Sequence, residues 1–218
     1  GSVQDVLEFV ERHLELQLNA TDDNPCIFVD EGTTSVSQNF ETTTLALGVE
    51  MLSAALNHMS KCICYRLIHL ADPAFTGLTR FLTPAEVKTI AYGTIQKVFT
   101  VLDAENRMLA NPSSMDFIAV AGSIEDHASN LPLAAAKTRR IVENLRYMLG
   151  IEAMHAAQAV DLRGKPQLGR VTGPVYEALR REVPYLNADR NLSLDIEKAY
   201  RFIQEGRMNQ AIQEAEKN

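Results

Sequence analysis

Glu125, Asp126 and His127 stand side by side behind a turn-rich polar entry, Asn111-Pro112-Ser113-Ser114-Met115-Asp116, and ahead of a run from 133 to 163 that holds no helix breaker. Charged groups at the mouth of a long helix are where chemistry is expected. A short carboxylate there accepts from the free backbone N–H groups that open the helix, and Asp126 is placed to do so. Glu125 then lies just outside the helix, its carboxylate free to face a pocket and exchange a proton. Taken alone, a carboxylate in such a place is more often a partner of the helix dipole than a catalyst.

Three other groupings invite chemistry and carry less. Glu152 and His155 have the Glu-x-x-His spacing that supplies ligands from one helix face in di-iron bundles, but that site needs a second such motif, and the chain has none. A buried polar pair at a helix interface is the reading the sequence supports. His58 and Cys62 sit four apart and could reach one ion, yet zinc wants three or four ligands; Cys64 falls elsewhere on the helix and His69 is distant. Cys62 is therefore expected in the core, and no metal ligands are expected. Ser113 and Ser114 lack the Gly-x-Ser-x-Gly context of a nucleophile elbow and read as loop and capping hydroxyls. No phosphate-binding glycine motif is present. Phe40 by itself carries no signal.

The elements that must position these residues are helical. Apolar positions at Leu45, Val49, Leu52, Leu56, Met59, Ile63 and Leu67 step by four and three, predicting a helix over 40–70, roughly 45 Å long at about 1.5 Å per residue. Leu47, Met51, Ala55 and Cys62 add a second apolar face, which suggests neighbours on more than one side. Further helices are predicted over 3–17 and from Pro84, with Thr83 as N-cap, through Met108. Residues 21–38 read as a loop with a short extended piece at 26–29. Gly164, Pro166, Gly169, Gly173 and Pro174 form the clearest boundary, and shorter helices follow over 175–183, 193–204 and 208–216. The expected class is all-α: an elongated bundle of long helices over 3–163, with a smaller C-terminal helical appendage over 164–218. Residues 1–2, Gly-Ser, read as a tag scar.

Composition agrees. Tryptophan is absent and aromatics are 6% of 218 residues, which favours helix packing over a sandwich. Residues 1–31 hold eight acids against Arg12 alone, so the net charge of −7 is local to the N-terminal part; no basic stripe supports a nucleic-acid partner. Three cysteines without framework spacing point to a reducing, cytoplasmic setting, and no run reaches the roughly 20 apolar residues that span a bilayer, so no membrane partner is expected.

Taken in order, these stretches resemble the aromatic amino acid lyase family, the histidine ammonia-lyase-like enzymes. Residues 16–28, Leu-Gln-Leu-Asn-Ala-Thr-Asp-Asp-Asn-Pro-Cys-Ile-Phe, are similar to the family's Glu-Leu-Asn-Ser-Ala-Thr-Asp-Asn-Pro segment. Asn39-Phe40 before a long helix resembles its Asn-Phe-His-Gly. Leu109-Ala110-Asn111-Pro112-Ser113-Ser114-Met115-Asp116 follows Leu-Ala-His-Pro-Ala-Ser-Val-Asp in outline, and Glu125-Asp126-His127-Ala128-Ser129 matches Glu-Asp-His-Val-Ser. Ile151-Glu152, Ala156-Ala157-Gln158-Ala159, Asp161-Leu162-Arg163, Val183-Pro184 and Asp189-Arg190 continue the match, which covers most of the chain. Each motif alone is weak; the ordered set is fairly specific.

The resemblance implies a C-terminal portion of a homotetrameric enzyme that removes ammonia from histidine or another aromatic L-amino acid. Phe40 would belong to the pocket for the aromatic side chain, and Glu125 would be the polar or acid/base group beside the substrate. The family's electrophile, a methylidene-imidazolone ring, forms from an internal Ala-Ser-Gly, which these 218 residues do not contain. The group therefore does not form from this chain, no residue here is expected to bind it, and the chain alone is expected to be inactive. An aminomutase shares the architecture, and a non-catalytic helical scaffold would keep the bundle without the site. Glu41 stands where the family has His, Thr42 where it has a small residue, and Ile124 where it has Gln. Glu at 125 resembles the histidine-specific members more than the phenylalanine-acting ones.

Overall fold

Apolar residues recurring every three or four positions produce helices here because one stripe of each must leave water. In the computed structural model, which describes residues 1–37, 39–88 and 90–217, they form α1 (Ser2–Leu18), α2 (Thr43–Leu70), a four-residue α3 (Pro73–Thr76), α4 (Gln96–Leu109), α5 (Leu131–Leu162), α6 (Thr172–Glu182), α7 (Leu192–Gln204) and α8 (Arg207–Lys217). The extended piece predicted at 26–29 is β1 (Cys26–Phe28), paired antiparallel with β2 (Thr33–Ser35) so that Cys26 opposes Ser35. The fold class is all-α, as the spacing predicts.

Two compact units divide the chain: Gly1–His58 with Asn106–Val142, and Met59–Glu105 with Glu143–Asn218. In the first, α1 packs on α2 at Gly48, where a Cβ would stand 3.0 Å from the Phe9 ring. Leu45, Ala46, Ala55 and Leu56 of α2 are buried, and the buried hydroxyls of Ser53 and Thr138 meet at 2.7 Å, tying α2 to the start of α5. The second apolar face of α2 divides: Ala55 is buried, whereas Leu47 and Met51 are 53% and 44% exposed.

In the second unit the seam carries Ile63, Cys64 and Leu67 of α2 against a core with Phe99, Leu145, Met148, Ile151, Met154, Leu179 and Phe202. Two buried polar side chains of this unit find close partners. Ser60 donates to Asp103 at 2.9 Å, and Gln158 takes both backbone groups of Leu186, donating to its carbonyl at 3.3 Å and accepting from its N–H at 3.2 Å. Gly150 lets α5 and α7 touch; a Cβ there would lie 2.9 Å from the backbone of Ala199 and Tyr200.

Three local expectations are corrected. Pro84 does not open a helix: Pro84–Val87 is a turn closed by Val87 N–H on the Pro84 carbonyl at 3.1 Å, and α4 starts at Gln96. Leu82 and Val87 are buried, which holds this stretch folded back on the core. Asp126 does not cap α5. The helix begins at Leu131 with Pro132 in its first turn, a position that tolerates proline; the Asn130 carbonyl accepts its first bond, from Ala134 at 3.1 Å. Cys62 is exposed and Cys64 is the buried thiol, because the seam runs Ser60, Ile63, Cys64, Leu67, Ala71, all buried.

Candidate functional site

The first unit holds a cavity of about 850 Å³ lined by Asp23, Asn24, Phe40, Glu41, Ile124, Glu125, Asp126 and His127. Three segments supply it: the loop before β1, the loop before α2 and the loop before α5. Backbone and amide bonds set each one. Asn39 donates its amide to the Thr21 carbonyl at 3.3 Å, and Gln17 donates to the Asn39 carbonyl at 3.1 Å, so the residue before Phe40 is tied to the end of α1. The Asn24 side chain accepts from Ser37 N–H at 3.3 Å.

Glu125 sits on a narrow reversal. It exchanges backbone hydrogen bonds with Val120, at 2.9 and 3.3 Å, around Ala121, Gly122 and Ser123. All three have left-handed backbones, with φ of 50°, 67° and 70°, a conformation that favours glycine and costs alanine or serine about 1 kcal/mol or more each. Behind this turn, Asn130 donates to the carbonyls of Ser113 and Asp116 at 2.9 and 2.6 Å. The polar entry at 113–116 is thereby locked to the start of α5.

Phe40 and Glu125, the two candidate site residues from the sequence, therefore line one cavity, Phe40 being 48% exposed. Four lining side chains are acids and one is His127; no lysine or arginine is among them. The arrangement can hold an aromatic ring against Phe40, a cationic group among the carboxylates, and a proton on Glu125.

The remaining candidates go elsewhere. Glu152 pairs with Arg66 at 2.5 and 3.0 Å on the surface of the second unit. His155 is fully buried, with Nδ1 on the Ile151 carbonyl at 2.8 Å and its ring against Tyr92 at 4.7 Å between centroids. The Glu-x-x-His spacing thus splits into an ion pair and a core imidazole. His58 and Cys62 are both exposed. Burial drives the His155 pKa down to about 4, against a smaller rise from the Ile151 carbonyl. Its folded value lies below its unfolded one, so its contribution to stability is complete above the unfolded pKa of 6.5 and is lost as pH falls towards 4. About 3 kcal/mol of unfolding free energy is expected to disappear across that window, and His155→Leu is expected to flatten the slope; urea titrations between pH 4.5 and 7 measure both.

Sequence reading missed two groups. Glu50 on α2 accepts from the backbone N–H of Ser113 and Ser114 at 2.5 and 2.8 Å, and from their hydroxyls at 3.3 and 2.7 Å. Burial alone would push its carboxyl up; the serine N–H and O–H groups outweigh that and hold it below the ordinary carboxylate range. Glu41 meets His127, Oε2 to Nδ1, at 2.9 Å. No motif signals either contact, since the partners lie 63 and 86 residues apart.

Compared with known proteins, residues 1–181 match the family model for aromatic amino acid lyase. The chain belongs to the aromatic amino acid lyase family. Among the lyases it resembles, histidine ammonia-lyase of Anaeromyxobacter dehalogenans is 35% identical over 94% of this chain and 41% of that protein. The ergothioneine-degrading enzyme ergothionase of Treponema denticola, solved with desmethyl-ergothioneine sulfonic acid, is 58% identical with a TM-score of 0.89, over 94% of this chain and 41% of that one. Tyrosine aminomutase of Streptomyces globisporus is 28% identical with a TM-score of 0.91, over 98% of this chain and 41% of that one. The chain therefore spans about two fifths of the length of these relatives, in their C-terminal portion. Among the described residues, no helix is long and apolar enough to cross a membrane.

Proposed function

We propose that this chain is the C-terminal portion of a carbon–nitrogen lyase acting on an imidazole-bearing amino acid, with ergothioneine the first substrate to test and histidine the second. The observation that carries this choice is identity: 58% to ergothionase against 35% to a histidine ammonia-lyase over the same share of the chain. The cavity supports it. Ergothioneine is a betaine whose α-nitrogen carries three methyl groups and a fixed positive charge, and the lining offers Phe40 with the carboxylates of Asp23, Glu125 and Asp126.

In this reading Phe40 packs on the substrate's ring and Glu125 is the acid/base group. Elimination moves the β-carbon's proton to a base and forms the α,β double bond. The α-carbon to nitrogen bond breaks with its electron pair on nitrogen, releasing trimethylamine from the betaine or ammonia from histidine. The family's methylidene-imidazolone supplies an electrophile that activates the substrate. This chain does not fit as its source. Ala121-Gly122-Ser123 places the serine last. Ala128-Ser129-Asn130 has no glycine, and its serine is buried on the Thr42 hydroxyl at 2.9 Å.

Residues 3–163 are assigned to the lyase core and 164–218 to a helical appendage. Exposed Leu47, Met51 and Val36 support self-association, a homotetramer in the full-length enzyme, and three free thiols support a cytoplasmic setting. The test is the full-length protein offered ergothioneine, histidine, phenylalanine and tyrosine, with trimethylamine, ammonia and the conjugated acid measured. The expected result is ergothioneine turnover with kcat/KM at least about 100-fold above histidine. Histidine preference would make it a histidine ammonia-lyase, a β-amino acid product an aminomutase, and no turnover a scaffold. The 218-residue chain alone is expected to release neither amine.

A further inference from the structure

We propose that Glu41 and His127 form a positioning pair that fixes the spacing of Phe40 and Glu125 across the cavity, an inference that rests on the lyase reading above. Each member is a near neighbour of the residue it would place: Glu41 follows Phe40 directly, and His127 lies two residues after Glu125. Both belong to segments outside helices and strands, so side-chain ties have to supply the register that a backbone ladder would otherwise give.

The tie has a fixed sense. A carboxylate only accepts, so His127 Nδ1, 2.9 Å from Glu41 Oε2, carries the hydrogen. The bond survives whether or not the other ring nitrogen is protonated. Phe117 holds the imidazole from the side, with centroids 5.0 Å apart and planes 57° apart. A second tie lies further along both segments, between the hydroxyls of Thr42 and Ser129 at 2.9 Å. The two ties join 40–42 to 125–129 like consecutive rungs. Where the family carries His in place of Glu41, this carboxylate–imidazole pair cannot form; the pair belongs to the variation that separates this chain from the family pattern.

Its energetics separate positioning from scaffolding. The Glu41 and His127 side chains are 29% and 43% exposed, and a pair so open to water adds little to global stability. A small displacement of reacting groups, by contrast, costs about 10- to 100-fold in rate.

The test uses the full-length protein and the variants E41A, E41Q, H127F and E41A/H127F, the phenylalanine keeping a ring against Phe117. On whichever substrate the wild type turns over, E41A and H127F are each expected to lose about 10- to 100-fold in kcat/KM, and the double variant to lose no more than the worse single. E41Q, which still offers an acceptor oxygen, is expected to recover part of the loss. Thermal midpoints should stay within about 4 °C of wild type. Wild-type kcat/KM in the single variants, or losses that multiply in the double, would overturn the pair. A second readout is independent of turnover: nitrogen spectra of histidine-labelled protein above neutral pH should show His127 as the Nδ1–H tautomer in wild type and shifted towards Nε2–H in E41A. An unchanged tautomer also overturns the pair, whereas an inactive wild type with the expected tautomers overturns the lyase reading alone.

Discussion

Glu125→Gln in the full-length protein is expected to lower kcat by about 10²- to 10⁴-fold while KM stays within a few-fold, the signature of a group that acts on a proton in the transition state. Glutamine keeps the shape of the side chain and its capacity to hydrogen bond, but it cannot take the β-proton or return it. The geometry makes this a clean substitution. Glu125 is exposed on the cavity wall, and its structural work is done by its backbone, through the bonds to Val120 at 2.9 and 3.3 Å. Asp126→Asn is the natural comparison, since Asp126 lines the same cavity. It is expected to cost less than about 10-fold, as loss of local charge alone would. Steady-state kinetics on the preferred substrate decide between them; unchanged turnover in Glu125→Gln would remove Glu125 from the reaction.

Gly150→Ala is the substitution expected to cost more stability than its helical counterpart Gly48→Ala. A Cβ at 150 would lie 2.9 Å from both the carbonyl carbon of Ala199 and the nitrogen of Tyr200. These are backbone atoms of α7, so no side chain can swing aside and the helix itself must move. Overpacking of this kind costs about 1–3 kcal/mol and occasionally more, against about 1 kcal/mol gained from replacing a helical glycine. Moving α7 also disturbs the stacked rings of Tyr147 and Tyr200, 4.0 Å apart, and the bond from Tyr200 to Glu143 at 2.8 Å. A net loss of about 1–2 kcal/mol is expected in urea denaturation. Gly48→Ala is the contrasting case: the nearest atoms to its Cβ would be those of the Phe9 ring and a Val10 methyl, side-chain atoms that can shift, so a smaller loss is expected there. Equal stability of Gly150→Ala and wild type would mean that α7 does not rest on α5 as described.

Long-range patterning was legible in the sequence wherever one periodic stripe decided the matter. The boundaries of α2, α6, α7 and α8 fall close to the predicted ones because their apolar positions keep one phase over many turns. Phe40 and Glu125 were legible only through ordered motifs, since an isolated aromatic and a lone carboxylate have many ordinary uses. The failures share one cause, a local signal overruled by distant packing. Thr83-Pro84 carries a good helix start, yet Leu82 and Val87 fold into the core and hold the segment in turns. Asp126 is a good cap by type, but the reversal at Val120 and Glu125 keeps it ahead of a helix that Pro132 helps to begin. Cys62 and Cys64 differ by two positions, about 200° on a helix, so an error in seam phase exchanged the exposed thiol for the buried one. Glu50 and the Glu41–His127 pair were invisible for a simpler reason: contacts between residues so far apart in sequence leave no spacing to read.

The grip of Glu50 on Ser113 and Ser114 has a regulatory consequence. Loop serines beside a candidate active site would ordinarily be open targets for kinases, but here both hydroxyls and both backbone N–H groups already serve one carboxylate, and both residues are buried. A phosphate on either would set close to two negative charges against Glu50 and break the bonds that fix the loop. This entry to α5 is therefore expected to resist phosphorylation while the protein is folded.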